Sequence, residues 1–216
     1  MMATKLQPLT FADFEQELGV PYMAPFLKFA LGDQTRAVRL HAWNNNVGAA
    51  FHRPLELVEV AIGNRIDKAL TVEFGTHWWH APKFLAQASQ VTIAALDEAS
   101  KHAEAKGRDG HADVVAEITF GTWVAILRPR YFDLIWRHHA SQVFPGHRRL
   151  PFRSIAQTID GLLKLRNAIG HHEPLLDLDL RGLHEDLLTV LGWMSPMMQA
   201  QASATSFVPK VLAGRP

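Results

Sequence analysis

The stretch VVAEITFGTWVAIL, residues 114–127, decides whether the chain is all-helical or mixed. Its β-branched and aromatic content permits a strand, whereas Val114, Ile118, Thr119, Thr122 and Ile126 suit one face of a helix. No second strand pattern exists for it to pair with, so the helical reading is preferred. Upstream, KGRDGHAD (106–113) reads as the clearest loop, preceded by a helix that Pro82 opens and that runs through about Ala105, apolar at Phe84, Leu85, Ala88, Val91, Ala95 and Leu96. THWWHAP (76–82) is a turn with aromatic content. A long helical pattern starts near Gln34, with Trp43, Val47, Ala50 and Phe51 on its apolar face, and Pro54 kinks or restarts it. Its continuation places Leu55, Val58, Ile62, Ile66, Ala69 and Leu70 at spacings of three and four, interrupted by Glu56, Glu59, Asn64 and Asp67, and Gly75 closes it. Nearer the start, Thr10 caps FADFEQEL (11–18), Gly19 and Pro21 end that helix, and a second segment spans 22–31.

Downstream, a short helix is expected over 131–143, then the basic loop PGHRRLP (145–151), a helix over 151–169, a last helix over 179–201 bent near Pro196, and a fraying tail. The expected fold class is therefore all-α, a single-domain helical bundle, with residues 1–33 as an N-terminal helical arm and 205–216 as a flexible tail.

A chain of 216 residues can bury a substantial core without a staple, and it has no cysteine, which excludes disulfides and thiolate zinc sites. The opening MMATKLQPLT lacks the basic and apolar segments of a signal peptide, and no apolar run approaches the ~18 residues needed to span a bilayer. The expected location is the cytoplasm, with no membrane partner. The net charge of +1 does not announce a nucleic-acid binder, but its distribution is uneven. Between Arg128 and His172, eight Lys/Arg (Arg128, Arg130, Arg137, Arg148, Arg149, Arg153, Lys164, Arg166) stand against Asp133 and Asp160, with five of the twelve histidines. Such a patch attracts phosphates, or is a solvated surface balanced by acids elsewhere.

The densest chemistry lies in RNAIGHHEP, residues 166–174. At about 3.6 residues per turn, Ile155, Ile159, Leu162 and Ile169 fall within about 60° of one direction, and Arg166 points about 20° from it. A guanidinium on an apolar stripe must face an internal carboxylate or a seam that opens onto a ligand. Gly170 suits a left-handed position past the helix end, and Pro174 prevents resumption, which puts His171 and His172 in the turn. Arg166 and the histidines then either carry chemistry or complement the negative end of the helix dipole. His77 and His80 in HWWH could seat a metal on one turn, but no third ligand is apparent, so neither a metal nor another cofactor is expected.

RNAIGHHEP resembles the LRN...HHEP signature of the Abi-like (abortive infection) proteins, a branch of the HEPN superfamily of helical nucleotide-binding and ribonuclease domains. AWNNNVGAAFHRPLELVEVAIGNRI (42–66), EITFGTWVAIL (117–127) and LGWMSP (191–196) resemble further segments of that family in the same order. Gly63, Ala168 and Gly48 depart from it, standing where arginine, arginine and serine are usual. The resemblance implies an HEPN-like domain over 34–204 and metal-independent RNA cleavage in a site shared by two subunits of a homodimer, in a toxin of antiviral defence with an antitoxin as a further partner. Cleavage through the RNA's own 2′-hydroxyl needs a base, an acid and positive charge on the phosphorane. His171, at the family's Arg-x4-His spacing, is the implied acid–base residue, with His172 assisting, Arg166 holding phosphate oxygens and Asn167 orienting. Glu56 and Glu59, three apart on one helix, resemble the family's acidic positions and could hold Arg166, while Asn64, Arg148, Arg149 and Arg153 are candidate RNA contacts. The alternatives are a catalytically silent helical module that binds RNA or protein, and a helical metalloenzyme drawing on the many histidines.

Overall fold

In the computed structural model, which describes residues 9–147 and 151–216, every regular element among the described residues is a helix. Thr10 opens α1 (Phe11–Leu18) with a reciprocal cap: its hydroxyl accepts from the Asp13 amide at 3.3 Å, and the Asp13 carboxylate accepts from the Thr10 amide at 2.7 Å. α2 (Val20–Phe29) follows directly. α3 (Gln34–Phe74) is 41 residues long, capped by Asp33 on the Arg36 amide at 2.9 Å and ended by Gly75 at φ 88°. It runs through Pro54 without restarting. Proline removes one amide donor and its ring crowds the carbonyl one turn back, a cost of ~3 kcal/mol. Phe51, Leu55 and Val58 beside it are buried, each contributing ~1.5–3 kcal/mol, so packing outweighs the lost bond.

Residues 114–127 are helical, as expected, but in two pieces. α4 (Pro82–Gln87) and α5 (Gln90–Ala105) replace the single helix expected over 82–105, and α6 (His111–Glu117) and α7 (Phe120–Ile126) divide the next. The causes are Ser89 and Thr119, whose side chains accept from the amides of Thr92 at 3.1 Å and Thr122 at 3.3 Å and so start new helices. The loop is also shorter than expected, because α6 begins at His111, and Gly107 at φ 69° lets the Arg108 amide close on the Ala103 carbonyl at 3.0 Å.

The chain continues through a 3₁₀ turn (Pro129–Tyr131), a π turn (Phe132–Trp136), α8 (Arg137–Val143) and a further 3₁₀ turn (Pro145–His147). α9 (Phe152–Gly170), α10 (Leu180–Met194), α11 (Pro196–Thr205) and α12 (Val208–Ala213) complete it. The bend expected near Pro196 is a full break, with the Ser195 side chain accepting from the Met198 amide at 3.4 Å. α3 is the spine of this single-domain all-α bundle: α1, α2, α7, α8, α9, α10 and α12 all pack on it. No described helix is long and apolar enough to cross a membrane.

Residues 205–216, expected as a fraying tail, instead carry α12. Val208 is buried, Trp43 Nε1 donates to the Val211 carbonyl at 2.8 Å, and the Arg215 guanidinium lies 5.1 Å from the Trp43 ring. Short length and proximity to the terminus suggest fraying, but an indole that needs an acceptor supplies the anchor.

A charged latch joins α6 to α3. His111 Nε2 lies 3.0 Å from Asp67 Oδ2, its Nδ1 faces the Thr76 carbonyl, and Asp67 Oδ1 accepts from Trp78 Nε1 at 2.8 Å. Burial lowers the His111 pKa, but hydrogen bonds to Asp67 and Thr76 and the charge of Asp67 outweigh it and raise it above the ordinary value. The resulting stabilisation is full below the unfolded-state pKa of ~6.5 and is lost as pH rises through the raised folded-state value. Buried His41 and His184, whose pKa values burial lowers, act in the opposite sense, so the comparison must be with a variant. Melting temperature followed across that pH range should fall less steeply for His111→Gln than for the unaltered chain, and parallel curves would remove the latch.

Candidate active-site groove

Arg166 lies in the last turns of α9, where the stripe formed by Ile155, Ile159, Leu162 and Leu165 leaves the core. The four apolar residues are buried, but Arg166 has a side chain 47% exposed, so it is not a core arginine. Its end of the stripe faces a cavity of about 300 Å³ instead of apolar packing, walled by His52, Leu55, Glu56, Glu59 and Val60 of α3 and by Arg166, Ile169 and Gly170 of α9. The cation is half-exposed and has one partly buried carboxylate partner. Arg166 Nε donates to Glu59 Oε1 at 3.2 Å, and the rest of the fork makes no further hydrogen bond among the described residues. Glu56 lines the same cavity without pairing to Arg166.

The helix end differs from expectation at one residue. Gly170 is the last helical residue, His171 is the cap at φ −94°, and it is His172 that takes the left-handed conformation at φ 57°. The amides of His172 and Glu173 close on the carbonyls of Ile169 at 3.1 Å and Ala168 at 2.8 Å, the two bonds of a Schellman motif. Glycine usually fills that position, and a histidine there costs ~1 kcal/mol.

His172 lines a second cavity, of about 760 Å³, with Tyr22 of α2, with His41, Asn45, Gly48, His52 and Arg53 of α3, and with Ile169 and Glu173. The two cavities share His52 and Ile169. Asn44 fixes the far wall by accepting from the Leu175 amide at 2.7 Å, and α9 lies close to Gly48, where a Cβ would make ordinary contact with Ile169 at 3.5 Å. At the buried end, His41 is enclosed by Phe14, Tyr22 and Phe26 with ring centroids 5.1–5.7 Å away, and Asn45 Nδ2 donates to its Nε2 at 3.3 Å. Burial holds the His41 pKa below its ordinary value, and its Nδ1 has no partner.

A third cavity, of about 430 Å³, adjoins the first at Glu59 and Val60 and is lined by Gly63, Asn64, Asp67, His111 and Trp123. Asn64 thus lies beside the Arg166 cavity rather than in it. Gly63, where the resembled family has arginine, is occupied from outside: a Cβ there would lie 2.8 Å from Trp123 Nε1.

The chain matches no family model, no curated protein and no solved structure. The groove therefore rests on its own geometry. Arg166, Glu56, Glu59 and His172 open onto adjoining cavities. Asn167 and His171 are exposed at the helix end and line none of these cavities. Arg153 faces the opposite side of α9, in a cavity of about 770 Å³ with Arg128, Phe132, Phe152, Asp160 and Lys164. Arg148 and Arg149 lie outside the described residues. Much of the basic surplus is internally paired: Arg128 and Lys164 both lie on Asp160, at 3.7 and 3.1 Å, and Arg137 pairs with Asp133. Among the described residues, no three His, Asp or Glu side chains converge as a metal site.

Sequence reading missed the stripe on α3. Asn45, Gly48, His52, Glu56, Glu59 and Gly63 recur at three, four and seven, so they share one helix face, and that face forms the groove floor. Of this stripe only Glu56 and Glu59 were expected at the site, whereas Asn45 and His52 carried no expectation.

Proposed function

We propose that the chain is a metal-independent endoribonuclease of the HEPN type, cleaving RNA through its 2′-hydroxyl, in a cytoplasmic toxin of abortive infection or antiviral defence. The activity is drawn from the resemblance of RNAIGHHEP and its three companion segments. The observation that carries it is the state of Arg166: one donor of its fork is tied to Glu59 while the remainder adjoins a cavity whose neighbour is lined by His172. A guanidinium fork matches phosphate oxygens, and an imidazole serves as acid or base near neutrality. A left-handed, non-glycine backbone in the same turn is the kind of strain that accompanies function. In this reading Arg166 stabilises the charge on the phosphorane, His172 exchanges the proton, and Asn167 and His171 contact RNA outside the groove. The resemblance adds a homodimer and an antitoxin.

A catalytically silent module that binds RNA or protein is the second reading. It is favoured by Glu56 and Glu59, two carboxylates on the wall where phosphate would sit. Incubation of the purified chain with labelled RNA in EDTA separates them. The ribonuclease yields fragments ending in 2′,3′-cyclic phosphate, whereas intact RNA across varied sequence contexts sinks that reading.

A further inference from the structure

On the side of α9 turned away from Arg166 lies a cavity of about 770 Å³ that no part of the proposed reaction uses. Arg153, Gln157, Asp160 and Lys164 line it at successive spacings of four, three and four residues, so they share one face of the helix and run ~16 Å along it. Three cations, Arg128, Arg153 and Lys164, stand there against one carboxylate, a surplus of two positive charges. Asp160 divides its single charge between two of them, lying 3.7 Å from Arg128 and 3.1 Å from Lys164.

Between the cations the cavity is apolar. Phe132 is 37% exposed and meets Phe152 with ring centroids 5.8 Å apart, while Val124 and Leu127 of the same lining are buried. Both phenylalanine rings already have a face in use. Phe152 stacks on Trp136 at 5.3 Å with 18° between the planes, and the Arg137 guanidinium lies 5.8 Å from the Phe132 centroid. A nucleobase stacks on an open ring face, so this pair suits an apolar body better than a base. A bare phosphate has no use for such a floor, and a neutral apolar ligand leaves the surplus charge unanswered. The volume lies within the ~300–1,000 Å³ of small-molecule sites. We propose that this cavity binds an amphipathic anion of small-molecule size, with its chain or ring on the Phe132 and Phe152 floor and its anionic head held by the surplus cations. Arg153, a candidate RNA contact in the sequence, is then a ligand-head contact.

Calorimetric titration of the full chain with dodecanoate, below the concentration at which it forms micelles, tests this. One dodecanoate should bind per chain, and dodecyltrimethylammonium, with the same chain and the opposite head, should bind at least tenfold more weakly. The double variant Arg153→Gln, Lys164→Gln, altered at two exposed positions, should weaken dodecanoate about tenfold, and Phe132→Ala should do likewise through the floor. Asp160→Asn should tighten dodecanoate, whereas a carboxylate that only holds the fold together would loosen it when lost. The aromatic anion 1-anilinonaphthalene-8-sulfonate should compete with dodecanoate in the unaltered chain. Failure of both anions to bind overturns the proposal, as does equal affinity for the two head charges or an affinity that none of these variants moves. A deoxythymidine octamer, uncleavable for want of a 2′-hydroxyl, that displaces dodecanoate and binds as tightly also overturns it and gives this face to nucleic acid. None of the substituted residues lines the Arg166 cavity, so RNA cleavage by the unaltered chain stands or falls separately.

Discussion

Replacing His172 by glycine should lower the rate of RNA cleavage by about 10² to 10⁴ while the melting temperature holds or rises. The two readouts diverge because the side chain and the backbone of this residue have opposite consequences. At φ 57° a Cβ is strained, and glycine relieves that strain, ~1 kcal/mol, less what is lost to the greater freedom of the unfolded chain. The imidazole, in contrast, stands on the wall of the larger cavity with His41, His52, Arg53, Tyr22 and Glu173. A residue kept only for helix termination would show the stability effect and no change in rate. His171→Ala provides the control: its side chain lines neither the Arg166 nor the His172 cavity, so its effect should stay within about tenfold, well below the scale of general acid–base loss. A fall of 10² or more for His171→Ala, with His172→Gly unaffected, would return the acid–base role to the residue at Arg-x4-His spacing. Relief of cellular toxicity should follow the same order among variants that express equally.

What could be read before folding depended on the kind of signal. The all-α class was legible because periodic apolar positions recur from Phe11 to Ala202 and no strand pairs with residues 114–127. Helix divisions at Ser89 and Thr119 were less so, since a single hydroxyl and one amide decide them and the apolar period runs on past. α12 was hidden for a different reason: its anchor, the Trp43 indole, lies on α3, far away in sequence. At the site, the need for a carboxylate near Arg166 followed from the cost of stranding a cation on an apolar stripe, whereas Glu59 as a candidate came, with Glu56, from the resemblance. The position of Arg166 at the rim did not follow from that cost. Angle alone puts Arg166 near the stripe's centre, but where α9 overruns the core the same direction faces a cavity. His52 was not singled out because a polar residue on a long helix reads as solvent-facing, and it is exposed; only its place on the walls of two cavities distinguishes it.

Replacing Arg65 by methionine should cost about 1.5–3 kcal/mol, on the scale of removing a charged donor from partly buried acceptors, although no ligand or catalytic role attaches to it. Arg65 Nη1 donates to the carbonyls of Gln142 at 3.3 Å and Val143 at 3.1 Å, and its Nη2 donates to the Met194 carbonyl at 2.6 Å. These carbonyls end α8 and α10, so one fork from α3 satisfies unpaired acceptors of two helices and sits at the negative end of both dipoles. Methionine keeps the bulk of the stem and removes every donor. Lysine should recover only part of the loss, because a point charge cannot reach both helix ends with planar geometry. Urea unfolding of Arg65→Met and Arg65→Lys, with the urea dependence of the free energy unchanged, measures this; equality of both variants with the unaltered chain would mean that water serves those carbonyls as well. The contrast with Arg166 gives the experiment its meaning. Arg65 engages its fork on three carbonyls within the fold, whereas Arg166 engages one nitrogen on Glu59 and leaves the rest at a cavity. Arg166→Met should therefore cost no more than the ~1 kcal/mol of a half-exposed ion pair. Loss of RNA cleavage by Arg166→Met at nearly unchanged stability would assign its remaining donors to the substrate of the proposed ribonuclease, and unchanged cleavage would leave Arg166 a half-exposed partner of Glu59.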